Sequence, residues 1–300
     1  MKKVFRTIGV IVLLLAVYLM LQYLFTNLAR RVTALVTDLV AAVQGKLDIA
    51  VLAKPEGFAD PNAMSGMSGV YVWSLAMGLM LSTVAMLLFL HFTGLFKLRW
   101  SLFKSISFRP LLFSTLLVFT SMFALNIFVQ WFNLNDNLAD QFNGLVHNVV
   151  GAFTVSVLAP LLEEAMFRGA MQGYMMRRFN PWVGIVVAAL VFGVFHMNPV
   201  QIMYATLLGV VFGWIYYRTR SLMSVIVGHV LNNSIATAVM LLFPASEVEQ
   251  VPATQPTSVE FGFEVMTFMG FVALSLLLAV KLHRMLPPVS RPWSDVCDKI

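Results

Sequence analysis

Two glutamates, an arginine, two histidines and an asparagine stand in stretches that are otherwise apolar. Glu163, Glu164 and Arg168 interrupt the run LAPLLEEAMFRGAMQGYM, His196 ends LVFGVFH, and His229 and Asn233 lie inside VIVGHVLNNSIA. A carboxylate held beside one or two imidazoles can take a proton from water. An imidazole, alone or with an amide, can stabilise the oxyanion that forms when water attacks a peptide carbonyl. Glu163, His196 and His229 are also a donor set for zinc that leaves one position for water. The metalloprotease helix H-E-x-x-H is absent, and so is a G-x-S-x-G elbow. There is no aspartate pair in an apolar run and no cysteine near a histidine. Hydrolysis by a glutamate-activated water, with or without a metal, is the chemistry these residues support.

Spacing assigns partners. On a helix Glu164 and Arg168 are four apart and share a face, which suits an ion pair. Glu163 points about 100° away from Glu164. One arginine neutralises one of two carboxylates, so Glu164 and Arg168 are expected to brace each other and Glu163 to act. Phe192 lies four residues before His196, and His229 and Asn233 share a face in the same way, whereas Asn232 points elsewhere. Any one of these polar groups alone reads as a packing or helix-gluing residue. Three segments each bringing one argue for a common site.

The elements that must hold them are membrane helices. The 300-residue chain is 59% hydrophobic and 11% charged, with a mean hydropathy of +0.83, beyond what a soluble domain needs. Apolar runs near the ~18–20 residues that cross a bilayer recur. They fall at 4–27, 70–96, 110–132, 148–176, 181–197, 200–217, 221–243 and 261–280. The expectation is an all-α polytopic membrane protein with about eight transmembrane helices, the fifth and sixth short. The polar site would lie among helices 4, 5 and 7. A charge at the bilayer centre costs roughly 2.5–3.5 kcal/mol, so these residues must pair, line a wet cavity or react.

The formal charge of +6 follows topology rather than a nucleic-acid patch. With Lys2, Lys3 and Arg6 inside, the inner loops and tail carry Lys97, Arg99, Lys104, Arg109, Arg177, Arg178, Arg218, Arg220, Lys281, Arg284, Arg291 and Lys299. The outer loops at 133–147, 198–199 and 244–260 carry no Lys or Arg, which sets the orientation N-in and C-in. Segment 28–69 departs from this pattern, with Arg30, Arg31, Lys46 and Lys54 on the outer side. Residues 30–44 read as an amphipathic helix lying on the membrane, or a short helix in a loop, ahead of a Pro/Gly/Met/Ser linker. The first apolar run is too long for a cleaved signal and reads as a retained anchor. Cys297 is the one cysteine, which excludes an internal disulfide. Its neighbours Asp298 and Lys299 do not make a prenylation signal. Three regions result: 1–144 as an N-terminal membrane region, 145–243 as the core that carries the site, and 244–300 as outer loop, last helix and tail.

At these residues the chain resembles the CPBP intramembrane proteases, the group that unites type II CAAX prenyl endopeptidases with bacterial proteins of bacteriocin processing and immunity. The family signature is E-E-x-x-x-R, then F-x-x-x-H, then H-x-x-x-N on successive helices. Here it reads Glu163-Glu164-Ala165-Met166-Phe167-Arg168, Phe192-Gly193-Val194-Phe195-His196 and His229-Val230-Leu231-Asn232-Asn233, within 145–243. The resemblance implies that Glu163 activates water and that His196, His229 and Asn233 position it and stabilise the oxyanion or hold a metal. Glu164, Arg168 and Phe192 would support them, and a zinc would sit on Glu163, His196 and His229. It also implies a peptide or membrane-anchored protein substrate, while the compact chain without organellar targeting points to a bacterial cytoplasmic membrane. A non-catalytic scaffold or immunity protein with the same motifs is one rival reading. A proton-coupled transporter is another, since buried Glu and His also make proton relays.

Overall fold

The computed structural model describes residues 2–43, 68–95, 107–136, 138–243 and 257–287. Among them the chain is helical and without strands: α1 Lys2–Val43, α2 Ser68–Phe92, α3 Phe108–Gln130, α4 Ala139–Val146, α5 Val149–Met176, α6 Pro181–Phe195, α7 Pro199–Thr219, α8 Leu222–Leu242 and α9 Ser258–Met285. Seven of these are long and apolar enough to cross a bilayer, and α6 is a shorter apolar helix. The protein is an all-α polytopic membrane protein.

Three details differ from the sequence reading. The first run does not stop at residue 27, and the helix expected at 30–44 is its continuation in one 42-residue rod. No proline or glycine stands between Val10 and Gln44, so nothing in that stretch ends a helix. At 1.5 Å per residue α1 is about 63 Å long, roughly twice the hydrocarbon thickness. Of the two helices expected to be short, only α6 is: its 15 residues rise about 22 Å, while α7 has 21 residues. The helix α4 lies in the loop read as 133–147. The linker after residue 43, most of the 244–260 loop and the tail with Cys297 lie outside the described residues.

Helix α5 is the hub, with α1, α2, α6, α7 and α8 against it. Every residue of its segment Glu164–Gln172 is buried. Small residues let the neighbours come close. Gly193 of α6 faces Thr206 and the Ile202 carbonyl of α7, with no room for a Cβ. Gly209 and Gly213 of α7 face Arg168 and Gln172 of α5. The reversal from α6 to α7 is made by Met197 in the left-handed region (φ 52°). The next residue, Asn198, is fully buried and donates to Asp136 Oδ1 at 2.8 Å.

The last helix stands outside this hub and packs chiefly on α3. Thr257 and Glu260 form a reciprocal capping box at its start, three residues before its apolar run. Phe271 stacks on Phe123, and Ser275 donates to Thr120 at 2.8 Å. Trp131 Nε1 donates to Glu264 Oε2 at 3.1 Å, which gives that carboxylate a partner. At the other end Arg218 of α7 donates to the His283 carbonyl at 2.9 Å, placing a cation on the free carbonyls of the α9 terminus.

Candidate active site

Helix α5 is not a regular α-helix. It widens into π turns at Thr154–Leu158 and Glu164–Gln172, a feature frequent at functional sites. Pro160 lies between them and has no N–H to give the preceding turn. Glu163 and Glu164 follow, and their surroundings differ sharply.

Glu164 is fully buried. Its Oε1 accepts from Arg168 Nη1 at 2.9 Å and from His229 Nδ1 at 2.7 Å. Oε2 has no partner. Arg168, also fully buried, gives Nη2 to the Gly209 carbonyl at 3.3 Å. Its guanidinium lies between the rings of Phe192 and Phe212, at 4.4 and 5.1 Å. These contacts compensate a cation that would otherwise be costly to bury. One turn on, Gln172 Nε2 donates to the Gly213 carbonyl at 2.9 Å. Arg168 and Gln172, four apart on α5, therefore meet Gly209 and Gly213, four apart on α7.

Glu163 lies on the neighbouring face and keeps 14% of its side chain exposed. Its Oε2 stands 3.6 Å from His229 Nε2, within ion-pair range and too long for a hydrogen bond. His229 thus touches both carboxylates, and the shorter contact is to Glu164. The sequence reading gave His229 to Glu163 and left Glu164 to Arg168; the ring in fact bridges the two. A carboxylate can only accept, so Nδ1–H donates to Glu164 and Nε2 faces Glu163.

His196 is at the end of α6, partly exposed, with Nδ1 at 2.8 Å from the Phe192 carbonyl. That carbonyl can only accept, so Nδ1 carries the proton and Nε2 keeps its lone pair in the neutral ring. Phe192 links the parts of the site. Its ring meets His196 edge-on at 4.9 Å, His229 at 5.8 Å and the Arg168 cation on its face. The F-x-x-x-H spacing acts twice here, through a carbonyl and through a ring.

Asn233 is partly exposed and donates from Nδ2 to the Val155 carbonyl at 3.0 Å. It makes no hydrogen bond to Glu163, His196 or His229 among the described residues. Contacts run from Glu163 to His229, from His229 to Glu164, from Glu164 to Arg168, and from Arg168 and His229 to Phe192, with His196 joined through Phe192 and Asn233 anchored on Val155. Glu163, His196 and Asn233 are each partly exposed, whereas Glu164, Arg168 and His229 are buried.

Sequence spacing missed several contributors. Tyr18 of α1 is buried, accepts from Gln22 Nε2 at 3.0 Å and stacks on Phe195 at 5.1 Å. It lies within electrostatic reach of Glu163. Nothing in the α1 sequence marks it, since tyrosine is ordinary in a membrane helix. Gln172 and the glycine pair carried a signal, a buried amide four residues after Arg168 and a small-x-x-x-small stripe. Asn232, read as pointing elsewhere, donates to Asn233 Oδ1 at 3.0 Å.

The donors do not gather as a metal site. Both nitrogens of His229 are directed at carboxylates and Nδ1 of His196 is committed to a carbonyl. Among the described residues no three His, Cys, Asp or Glu side chains come together as ligands. The residues as placed do not fit a zinc on Glu163, His196 and His229.

Residues 145–235 match the family described as type II CAAX prenyl endopeptidase Rce1-like. The "Putative membrane peptidase YdiL" of Bacillus subtilis is 26% identical over 100 residues, which span 33% of this chain and 41% of that protein. The UPF0177 protein YaiH of Lactococcus lactis is 26% identical over 200 residues, 60% of this chain and 83% of that one. No solved structure matches. The matched segment holds all three motifs and the five side chains linked above. Residues 145–235 are thus similar to the type II CAAX prenyl endopeptidase Rce1-like family, and they lie within an integral membrane protein.

Proposed function

We propose that this protein is an intramembrane endopeptidase in which Glu163 takes the proton of the attacking water. The observation that carries this reading is the inequality of two adjacent carboxylates. Glu164 is closed and tied to Arg168 and His229, whereas Glu163 is partly open with His229 behind it.

Charge balance gives the ground state. Two carboxylates and one guanidinium leave one negative charge, and a proton on His229 Nε2 makes the group neutral. Glu163 is then ionised with a free oxygen toward the open side. Water there loses a proton to Glu163 as its oxygen bonds to the peptide carbonyl carbon, and the carbonyl oxygen becomes the oxyanion. The lone pair of His196 Nε2 accepts from the same water and orients it, while the second N–H of Asn233 donates to the oxyanion. As the C–N bond breaks, Glu163 passes the proton it took from water to the leaving nitrogen, while the buried His229 keeps its own proton and steadies the carboxylate that re-forms. The 3.6 Å separation of Glu163 and His229 leaves room for that contact to tighten when substrate binds.

The substrate class is a peptide or a membrane-anchored protein within the bilayer; a prenyl group is not carried over from the family description. The charge asymmetry and the two bacterial relatives support a bacterial cytoplasmic membrane, N-in and C-in. No step above passes through a metal, in keeping with donors that do not gather among the described residues.

The test is purified protein in proteoliposomes mixed with solubilised bacterial membrane proteins, with new peptide termini read by mass spectrometry. Wild type is expected to generate termini that a strong chelator leaves in place. No new termini, with proton flux instead, would favour the transporter. Silence in both assays would favour the scaffold.

A further inference from the structure

Asn233 is held by a one-way line of hydrogen bonds, and its direction follows from the backbone. The turn Thr154–Leu158 is π-helical, so Ala159 N–H reaches back to the Thr154 carbonyl. The next bond in that register would run from residue 160 to the Val155 carbonyl. Residue 160 is proline and has no N–H. The orphaned Val155 carbonyl, inside the membrane, is taken by Asn233 Nδ2 at 3.0 Å.

A carbonyl only accepts, so the Asn233 atom against it must be nitrogen and the other must be oxygen. That oxygen accepts from Asn232 Nδ2 at 3.0 Å, which turns the Asn232 oxygen outward. Tyr204 of α7 then donates its hydroxyl proton to that oxygen at 2.6 Å. Every amide in the line is fixed by its neighbour. Asn233 spends one N–H on Val155 and keeps the second on its partly exposed side.

We propose that Tyr204, acting through Asn232, positions Asn233 so that one amide N–H is anchored on Val155 and the other is presented to the oxyanion. Tyr204 and Asn232 are positioning residues; Asn233 is the group that touches the reacting atoms. The assignment rests on the proteolytic reading above for the oxyanion, while the anchoring stands on the geometry alone. It also gives Pro160 a role: by withholding an N–H it makes the anchor available. Tyr204→Phe removes the hydroxyl that donates to the Asn232 oxygen. Asn232→Asp keeps the acceptor for Tyr204 but cannot donate to Asn233. Pro160→Ala supplies an N–H that competes for Val155.

Two readouts separate the anchoring from the chemistry, both on the full chain. In the first, protein in detergent is labelled with 15N-asparagine, and the side-chain NH2 signal of Asn233 is identified by its loss in Asn233→Ser. Wild type is expected to show two resolved protons, the one bonded to Val155 in slow exchange with solvent. Tyr204→Phe, Asn232→Asp and Pro160→Ala should each lose that protection while the remaining asparagine signals hold. The second follows new termini from solubilised bacterial membrane proteins. Misplacing a group by about 1 Å can cost on the order of 100-fold, so Tyr204→Phe should slow their appearance about 10- to 100-fold. In an Asn233→Ala background it should have no further effect. An unchanged Asn233 signal in Tyr204→Phe and Asn232→Asp overturns the anchoring. Protection lost without a change in rate, or additive losses in the double variant, overturns the positioning role. A wild type that makes no termini removes the oxyanion role with the proteolytic reading, and the exchange readout still decides the anchoring.

Discussion

Replacing Glu163 by glutamine keeps the volume and removes the base. General base catalysis contributes roughly 10²–10⁴-fold, and a loss of that size in the appearance of new termini is expected, with the thermal unfolding midpoint unchanged. Arg168→Ala should act the other way round. It strands the Glu164 carboxylate, which has no exposed surface and whose Oε2 already lacks a partner. Breaking a buried pair costs about 3–5 kcal/mol, so thermal unfolding in detergent should fall steeply. Arg168→Lys should not restore it. One ammonium cannot reach both Glu164 and the Gly209 carbonyl, nor lie flat between Phe192 and Phe212. A stable Arg168→Ala protein beside an active Glu163→Gln enzyme would reverse the two roles.

At the scale of elements, the site depends on how closely α6 and α7 approach α5. Gly193 sits against Thr206 and the Ile202 carbonyl, three residues before His196. Gly193→Ala forces α6 away from α7 and should destabilise by about 1–3 kcal/mol, the usual range for overpacking. Activity should fall further than stability, because the ring of His196 moves with the helix. A Gly193→Ala protein with wild-type activity would show that the α6 position is not critical. The helices themselves were legible from apolar run length, and the motif-bearing ones to within two residues. The Glu164–Arg168 pair was legible from helical spacing. The His229 bridge was not, because spacing places residues on a face of one helix and cannot rank distances across three. The π turns were hidden for a related reason: they arise where Pro160 breaks the hydrogen-bond register and packing holds the bulge. The continuous α1 escaped because a change from apolar to amphipathic composition does not by itself end a helix.

For the whole molecule, the basic residues predict that both termini face the cytoplasm. The lone Cys297 makes this measurable without engineering. A membrane-impermeant maleimide should label it in inside-out vesicles and leave it unlabelled in right-side-out ones; the opposite pattern would invert the topology. The description rests most heavily on the division between two adjacent glutamates, and one comparison tests it. Wild type, Glu163→Gln and Glu164→Gln, each shown to be folded by its unfolding midpoint, are reconstituted and assayed for new peptide termini from the same membrane proteins. Termini should vanish in Glu163→Gln at wild-type stability, while Glu164→Gln should lose stability. Termini that persist in a folded Glu163→Gln would contradict the assignment of Glu163 as the base.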